Sequence, residues 1–207
     1  EDPARDGLNW YVYCLNNPLV FVDPNGLDTV FADFNLSTNT MTVTYYSTSP
    51  EYGVIGTHQF SFSMTNNVRN ELNHQRENPD VTTTPLQGNA NWYYPRQFPI
   101  GLWKIGQSIP KDGTDPYLGD VFIPTDAHQE VPVYGDATSP MPEKKNGELP
   151  NSNGTQEDAA YGFHYSASST TLGCGKGDTQ ENINMFAQWS DQAINSKDGA
   201  SYVYVHK

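Results

Sequence analysis

Basic side chains are scarce: eleven lysines and arginines face twenty-four aspartates and glutamates, a formal net charge of −13 over 207 residues. A phosphate-binding surface needs a Lys/Arg footprint, so nucleic acid is not an expected partner and nuclease chemistry is disfavoured. Cysteine is scarcer still. Cys14 and Cys174 are the only two, far apart in segments of different character, which argues against a disulfide framework; a chain of this length can bury a core without one. Long apolar runs are missing, with no window near the ~18 residues of a helical span, so membrane insertion is not expected. Glu1 does not open a basic-then-apolar leader, so any export is expected to be supplied from elsewhere. Metal-ligand spacing is also wanting. His58, His74 and His128 are scattered without an H-x-x-x-H pattern, and KDGTDPYLGD (111–120) lacks the alternation and terminal glutamate of an EF-hand. No metal or other cofactor is expected.

Aromatics are plentiful, at 13% with thirteen tyrosines, beside abundant Thr, Ser, Asn, Gly and Pro. That composition predicts a mostly β protein with long polar loops. Alternation predicts a hairpin from TVFADFNL (29–36) and MTVTYYST (41–48) around STNT (37–40). Further strands are expected at HQFSFSMT (58–65), GLWKI (101–105), VFIP (121–124), EVPVYG (130–135) and GFHYS (162–166). NNVRNELNHQ (66–75) reads as a short helix and 79–91 as loop. Residues 137–158, rich in Pro, Gly, Asn and charge, read as an exposed loop serving as a connector or a lid. Past Cys174 the pattern turns helical: Asp178 and Glu181 make a capping box, and Ile183, Phe186, Ala187 and Ile194 recur at helical spacing through Asn195. Asp198-Gly199 ends the helix, and SYVYVHK closes the chain as a strand.

Candidate chemistry concentrates in YGFHYSASSTTLGCGKG (161–177). A thiol attacks a carbonyl as thiolate, so a nucleophilic cysteine needs a base, partial exposure and N–H groups for the oxyanion. Gly173 and Gly175 strip side chains from around Cys174 and let a carbonyl approach the backbone. His164 lies ten residues earlier, before a Ser/Thr-rich loop long enough to return the chain. Taken singly, a cysteine in a β protein is more often a small buried hydrophobe and a lone histidine a surface residue. The glycine flanks and the polar loop weigh against burial.

Two resemblances sharpen this reading. Residues 1–27, EDPARDGLNWYVYCLNNPLVFVDPNGL, resemble the end of the Rhs (YD-repeat) core: DP, then G-x-N-x-Y-x-Y-x-x-N-N-P, then DPxGL. The plainer reading is a first hairpin of the domain that follows. The resemblance implies a β-shell that encloses a variable C-terminal effector and cuts itself after DPxGL. Asp2 and Asp23 correspond to the cleavage aspartates, and the junction falls between Leu27 and Asp28. Without the shell that positions those aspartates, this chain is not expected to cut itself.

TLGCGK (171–176) is similar to the cysteine motif of the L,D-transpeptidase family, in which His-Gly is followed by Ser/Thr-x-Gly-Cys-x-Arg/Asn. RQFPIGLWKI (96–105) resembles that family's upstream T-P-x-G-x-[FY]-x-I strand. The histidine-then-cysteine order and the closing helix and strand also agree. The resemblance implies that residues 28–207 form an L,D-transpeptidase-like β-sandwich with one C-terminal helix after the catalytic cysteine. Within it Cys174 is the nucleophile, His164 the base, Thr171 the hydroxyl of the motif, and the N–H groups of Gly173 and Cys174 the oxyanion donors. Lys176 stands where the family has Arg or Asn, and Tyr165 replaces the glycine after the histidine; both fall at the substrate side. Gly175 replaces an apolar residue, and Phe98 a threonine.

Together the resemblances imply an interbacterial toxin that attacks the L,D-amide of a peptidoglycan stem peptide through a Cys174 thioester, as carboxypeptidase, exchange or transpeptidation activity. It would be a secreted effector acting in the wall or periplasm of a target bacterium. The Rhs shell and a cognate immunity protein would be its partners. Two alternatives stay open. An NlpC/P60-like amidase would take its histidine after the cysteine, at His206. A non-catalytic wall-glycan binder would stack sugars on Trp92, Trp103 and Trp189.

Overall fold

The computed structural model describes residues 28–47, 56–66, 92–93, 96–111, 119–134, 151–159, 161–167, 171 and 173–207. The expected hairpin is present as β1 (Thr29–Asn35) and β2 (Thr40–Ser47), paired antiparallel. Its turn holds because the Asn35 side-chain oxygen accepts from the N–H groups of Ser37 and Thr38, each at 2.9 Å. Asn39 takes the left-handed conformation, φ 54°, which Asn tolerates better than most residues. The following strands are β3 (Gly56–Thr65), β4 (Trp92–Tyr93), β5 (Gly101–Lys104), β6 (Ile109–Pro110), β7 (Val121–Pro124), β8 (Gln129–Tyr134) and β9 (Thr155–Asp158). Then come β10 (Gly162–Tyr165), β11 (Gly175–Gly177), helix α1 (Gln180–Asn195) and β12 (Ala200–His206).

Nine strands form one sheet in the order β5-β12-β1-β2-β3-β11-β10-β7-β6, and β4-β8-β9 form a smaller second sheet. Two pairings are parallel, β1 with β12 and β10 with β11. The large sheet curls until its flanks meet: Ile105, just past β5, bridges Thr125, just past β7, and the Gly106 N–H donates to the Pro124 carbonyl at 2.9 Å. The fold is therefore mostly β with one helix after Cys174 among the described residues, as the sequence predicts. Its two facing β layers come largely from one sheet bending round its own core.

Period-two alternation fills that core. Val30, Ala32 and Phe34 of β1 and Val203 and Val205 of β12 are fully buried, and α1 lays Ile183, Phe186, Ala187 and Ala193 against them. At its centre Phe98 stacks on Phe163 with centroids 5.0 Å apart, and Phe34 meets both edge-on at 6.2 and 6.0 Å. Phe98, the departure from the family's threonine, is thus a core aromatic. Buried Ser201 donates to buried Ser190 at 3.1 Å, which keeps both hydroxyls satisfied between α1 and β12.

Three expectations change. The helix cap is Thr179, one residue later than the Asp178 capping box: Thr179 Oγ1 accepts from the Asn182 N–H at 3.1 Å. Asp178 is drawn aside to accept from the Ser63 N–H at 3.3 Å and the Asn182 amide at 2.8 Å. The exposed loop expected over 137–158 ends in a strand, since Thr155–Asp158 pairs with β8. The helix expected at 66–75, apart from Asn66, and the loop at 79–91 lie outside the described residues, as do residues 137–150.

Phe163→Ala is expected to lose about 3–5 kcal/mol of stability, the usual cost of emptying a filled aromatic site. Leu102→Ala, at a side chain 45% exposed, should stay within about 0.5 kcal/mol. Urea unfolding midpoints of the two variants would test the assignment of this core.

Candidate active site

The site is built on the parallel β10–β11 ladder, where Phe163 is paired with Gly175, His164 with Lys176 and Tyr165 with Gly177. Phe163 points into the core, and paired residues share a face. A Cβ on Gly175 would lie 2.6 Å from the Phe163 ring, and one on Gly177 2.6 Å from Ile183. Both glycines therefore serve core packing. The open approach expected at Gly175 is not there, because Phe163 takes that space. One step along, His164 and Lys176 face the other side.

Cys174 lies immediately before β11, beside Gly162, whose backbone N–H hydrogen-bonds the sulfur. The β10–β11 register, carried one residue beyond the ladder, sets Cys174 opposite Gly162. Gly162 leaves room for the Phe122 ring, which a Cβ there would strike. Phe122 in turn flanks His164, with ring centroids 6.4 Å apart.

His164 is buried, and its Nδ1 lies 3.1 Å from the Tyr165 carbonyl. A carbonyl only accepts, so the proton of the neutral ring sits on Nδ1 and the lone pair on Nε2. That tautomer is a proton acceptor. Cys174 keeps part of its surface exposed, yet its thiol is pushed up from 9.0 to about 11. Burial is the main cause; the Gly162 N–H opposes it and the Asp158 carboxylate adds to it. Cys174 therefore rests as a neutral thiol at neutral pH, and a thiol in that state needs a base before it can attack a carbonyl.

The cysteine turn is clamped from outside its own segment. Asn66, at the end of β3, donates through Nδ2 to the carbonyls of Gly173 at 2.7 Å and Cys174 at 2.9 Å, while its Oδ1 accepts from the Phe98 N–H at 2.8 Å. Gly173 has φ 139° and lies edge-on to Tyr161, where a Cβ would be 2.8 Å from the ring. Tyr161 donates to buried Asp158 at 2.7 Å and accepts from Gln129. Asn66, Asp158, Tyr161 and Gln129 escaped the sequence reading. Only the YG immediately upstream of FH, and the nearby acid, offered a local signal for part of this group.

Of the predicted site residues, Lys176 is paired with His164 across the β10–β11 ladder, and Cys174 lies one residue before β11. Thr171 is buried, and its hydroxyl accepts from the Gly173 N–H at 3.3 Å. That N–H, expected to serve the oxyanion, is engaged within its own loop. Tyr165, expected at the substrate side, turns its ring to the core and uses its carbonyl to hold His164, because it alternates with His164 on β10. Asp28 is buried, accepting from the Tyr45 hydroxyl at 3.2 Å and, through its carbonyl, from the Ala200 N–H at 3.3 Å. Asp2, Asp23 and Leu27 lie outside the described residues.

The alternatives fare differently. His206 ends β12, separated from β11 in the sheet order by β1, β2 and β3, and it bonds Asp33 at 3.1 Å and stacks on Tyr204. It is not the partner of Cys174. Trp189 packs against Phe60 and Tyr45, with centroids 4.8 and 5.9 Å away, and Trp103 donates to the Pro99 carbonyl at 2.9 Å. Both are half-buried parts of the packing and form no flat sugar platform; the side chain of Trp92 lies outside the description.

A scan against protein-family models gives no match, and a search of curated proteins gives none either. Among solved structures, the fold is similar to the helical cell shape determining protein Pgp2 from Campylobacter jejuni, with TM-score 0.43 and 16% identity over 87% of this chain and 48% of that one. It is also similar to Bd1075 of Bdellovibrio bacteriovorus, with TM-score 0.42 and 9% identity over 86% and 47%. The chain spans about half the length of these structures.

Alkylation of Cys174 is expected to accelerate about tenfold per pH unit from pH 8 to beyond pH 10, the behaviour of a thiol ionising near 11. A rate that levels off near pH 9, followed on the Cys174 peptide by mass spectrometry, would show that the sulfur is not desolvated.

Proposed function

We propose that residues 28–207 form a cysteine acyl-transfer domain that acts on peptidoglycan stem peptides and is carried as a toxin behind the end of an Rhs core. The observation that supports the chemistry is a thiol one residue before β11 and an imidazole with a proton-accepting tautomer on the neighbouring parallel strand β10. In the first step the Cys174 proton passes to His164 Nε2 as the sulfur attacks the carbonyl carbon. The C–N bond then breaks, the imidazolium returns the proton to the departing amine, and a thioester remains. Water resolves it to a shortened stem; an amine acceptor resolves it to an exchanged or cross-linked one. The cell-wall substrate rests on the motif resemblances at 96–105 and 171–176, and the Rhs passenger role on residues 1–27. A target in the wall or periplasm, release from the Rhs shell after Leu27 and neutralisation by a cognate immunity protein follow from the same reading.

Cys174→Ala should abolish processing of purified tetrapeptide muropeptides. His164→Ala should lower it by about 10²–10⁴, the range of a lost general base, while His206→Ala should leave it intact. Product masses give the sub-activity directly: loss of the terminal D-alanine means carboxypeptidase, its replacement means exchange, and a dimer means cross-linking. Unchanged muropeptides from the folded, reduced protein would end the peptidoglycan assignment. In bacteria, residues 28–207 should be toxic when exported and tolerated in the cytoplasm; equal toxicity in both compartments would place the target inside the cell.

A further inference from the structure

We infer that Asn66 is a positioning residue for Cys174, holding the backbone of the nucleophile from the β3 side while Gly162 holds its sulfur from the β10 side. Its part in turnover rests on the function proposed above; its grip on the thiol rests on geometry. β11 lies between β3 and β10 in the sheet, and its pairing with β3 sets Lys176 opposite Thr65 and Gly177 opposite Met64. Gly173 and Cys174 precede β11 and lie beyond that pairing. Asn66, the buried residue immediately after β3, reaches them with its side chain: Nδ2 donates to the Gly173 carbonyl at 2.7 Å and to the Cys174 carbonyl at 2.9 Å. Oδ1 accepts from the Phe98 N–H at 2.8 Å. Three bonds fix the plane of the carboxamide and its sense, because turned over it would set an oxygen against two carbonyls and an NH2 group against an N–H.

A trans peptide carries its N–H opposite its carbonyl. With both carbonyls turned to Asn66, the N–H groups of Cys174 and Gly175 point away from it, so one side chain sets two consecutive peptide planes at the nucleophile. The Gly162 N–H bonds the sulfur. Cys174 is thus restrained at its backbone and at its side chain, and Sγ stays where burial keeps the thiol neutral. The ionisable groups of the neighbouring elements are Asp158, whose carboxylate adds to that effect, and His164 and Lys176, paired across β10 and β11. Replacing Asn66 alters none of them. A reacting atom misplaced by about 1 Å loses most of its rate, and a turn freed from Asn66 loses that placement while giving its thiol more water. Loss of the clamp should therefore slow turnover and quicken alkylation, opposite signs from one change.

The test follows alkylation of Cys174 by iodoacetamide against pH on the full reduced chain, read on the Cys174 peptide by mass, beside turnover of purified tetrapeptide muropeptides. Asn66→Ala, its native fold checked by near-UV circular dichroism, should alkylate about tenfold faster than wild type at pH 8 and level off near pH 9, as a hydrated thiol does. Its kcat should fall about 10²-fold with KM within about threefold, the pattern of a displaced nucleophile beside an unaltered substrate pocket. Asn66→Ser, whose hydroxyl can still donate to one carbonyl, should move both readouts the same way by smaller factors, and it serves if the alanine variant does not fold. Ser190→Ala removes a buried hydrogen bond elsewhere, between α1 and β12, and should leave both readouts within about twofold. A wild-type alkylation profile in folded Asn66→Ala or Asn66→Ser would overturn the inference, as would an equal change in Ser190→Ala. If wild type turns over no muropeptide, the peptidoglycan reading falls, and the alkylation profile still decides whether Asn66 places the thiol.

Discussion

A single buried carboxamide fixes where the thiol stands. Asn66 spends its oxygen on the Phe98 N–H and its two amide hydrogens on the carbonyls of Gly173 and Cys174, so three segments distant in sequence meet at one side chain. The segment before β5, the end of β3 and the cysteine turn cannot shift independently while those bonds hold. Removing one partner of a buried hydrogen bond leaves the other unsatisfied, which costs more than the bond's net contribution. Because Phe98 is also the aromatic stacked on Phe163, the clamp couples the packing of the core to the position of the nucleophile.

Close approach is the second constraint. Gly162 admits the Phe122 ring, Gly175 admits Phe163 and Gly177 admits Ile183; any side chain at these positions would push β10, β11 and α1 apart. The parallel β10–β11 pair can then sit between β3 and β7, with His164 paired to Lys176 across it. A glycine-flanked cysteine invites the interpretation that bare backbone awaits a substrate. Here much of that bareness is filled by the protein's own side chains, packed tightly behind the ladder.

The electrostatic setting of Cys174 disfavours its thiolate. Thiolates are ordinarily favoured by nearby cations or helix N-termini. In this chain β11 separates the sulfur from the first turn of α1, burial and Asp158 both oppose ionisation, and the Gly162 N–H favours it. Such a thiol is protected from adventitious oxidation and alkylation at neutral pH. The Tyr165 carbonyl fixes the histidine tautomer on the neighbouring strand, and in the function proposed above that imidazole takes the thiol proton during attack.

The sequence alone determined what local periodicity and turn chemistry encode. The β1–β2 hairpin, the strands at 101–104, 121–124 and 162–165, the helix through Asn195 and the closing strand are each legible from alternation, helical spacing and breakers within a short window. The order of His164 and Cys174 and their flanking residues were legible in the same way. What depends on partners remote in the chain was not. The two- and three-residue strands β4, β6 and β11 carry too few residues for a period to register. β9 is polar enough to read as loop until β8 pairs with it. The cap moved from Asp178 to Thr179 because the Ser63 N–H, from another strand, draws the aspartate away. Tyr165 was assigned to the substrate and Gly173 to the oxyanion by motif, whereas the pleat turns one inward and Thr171 engages the other. Asn66 and Asp158 became site residues only through the fold: a hydrogen bond across about a hundred residues of chain, and a buried carboxylate beside a thiol, are set by how strands pair, and no local pattern in the sequence records which strands will meet.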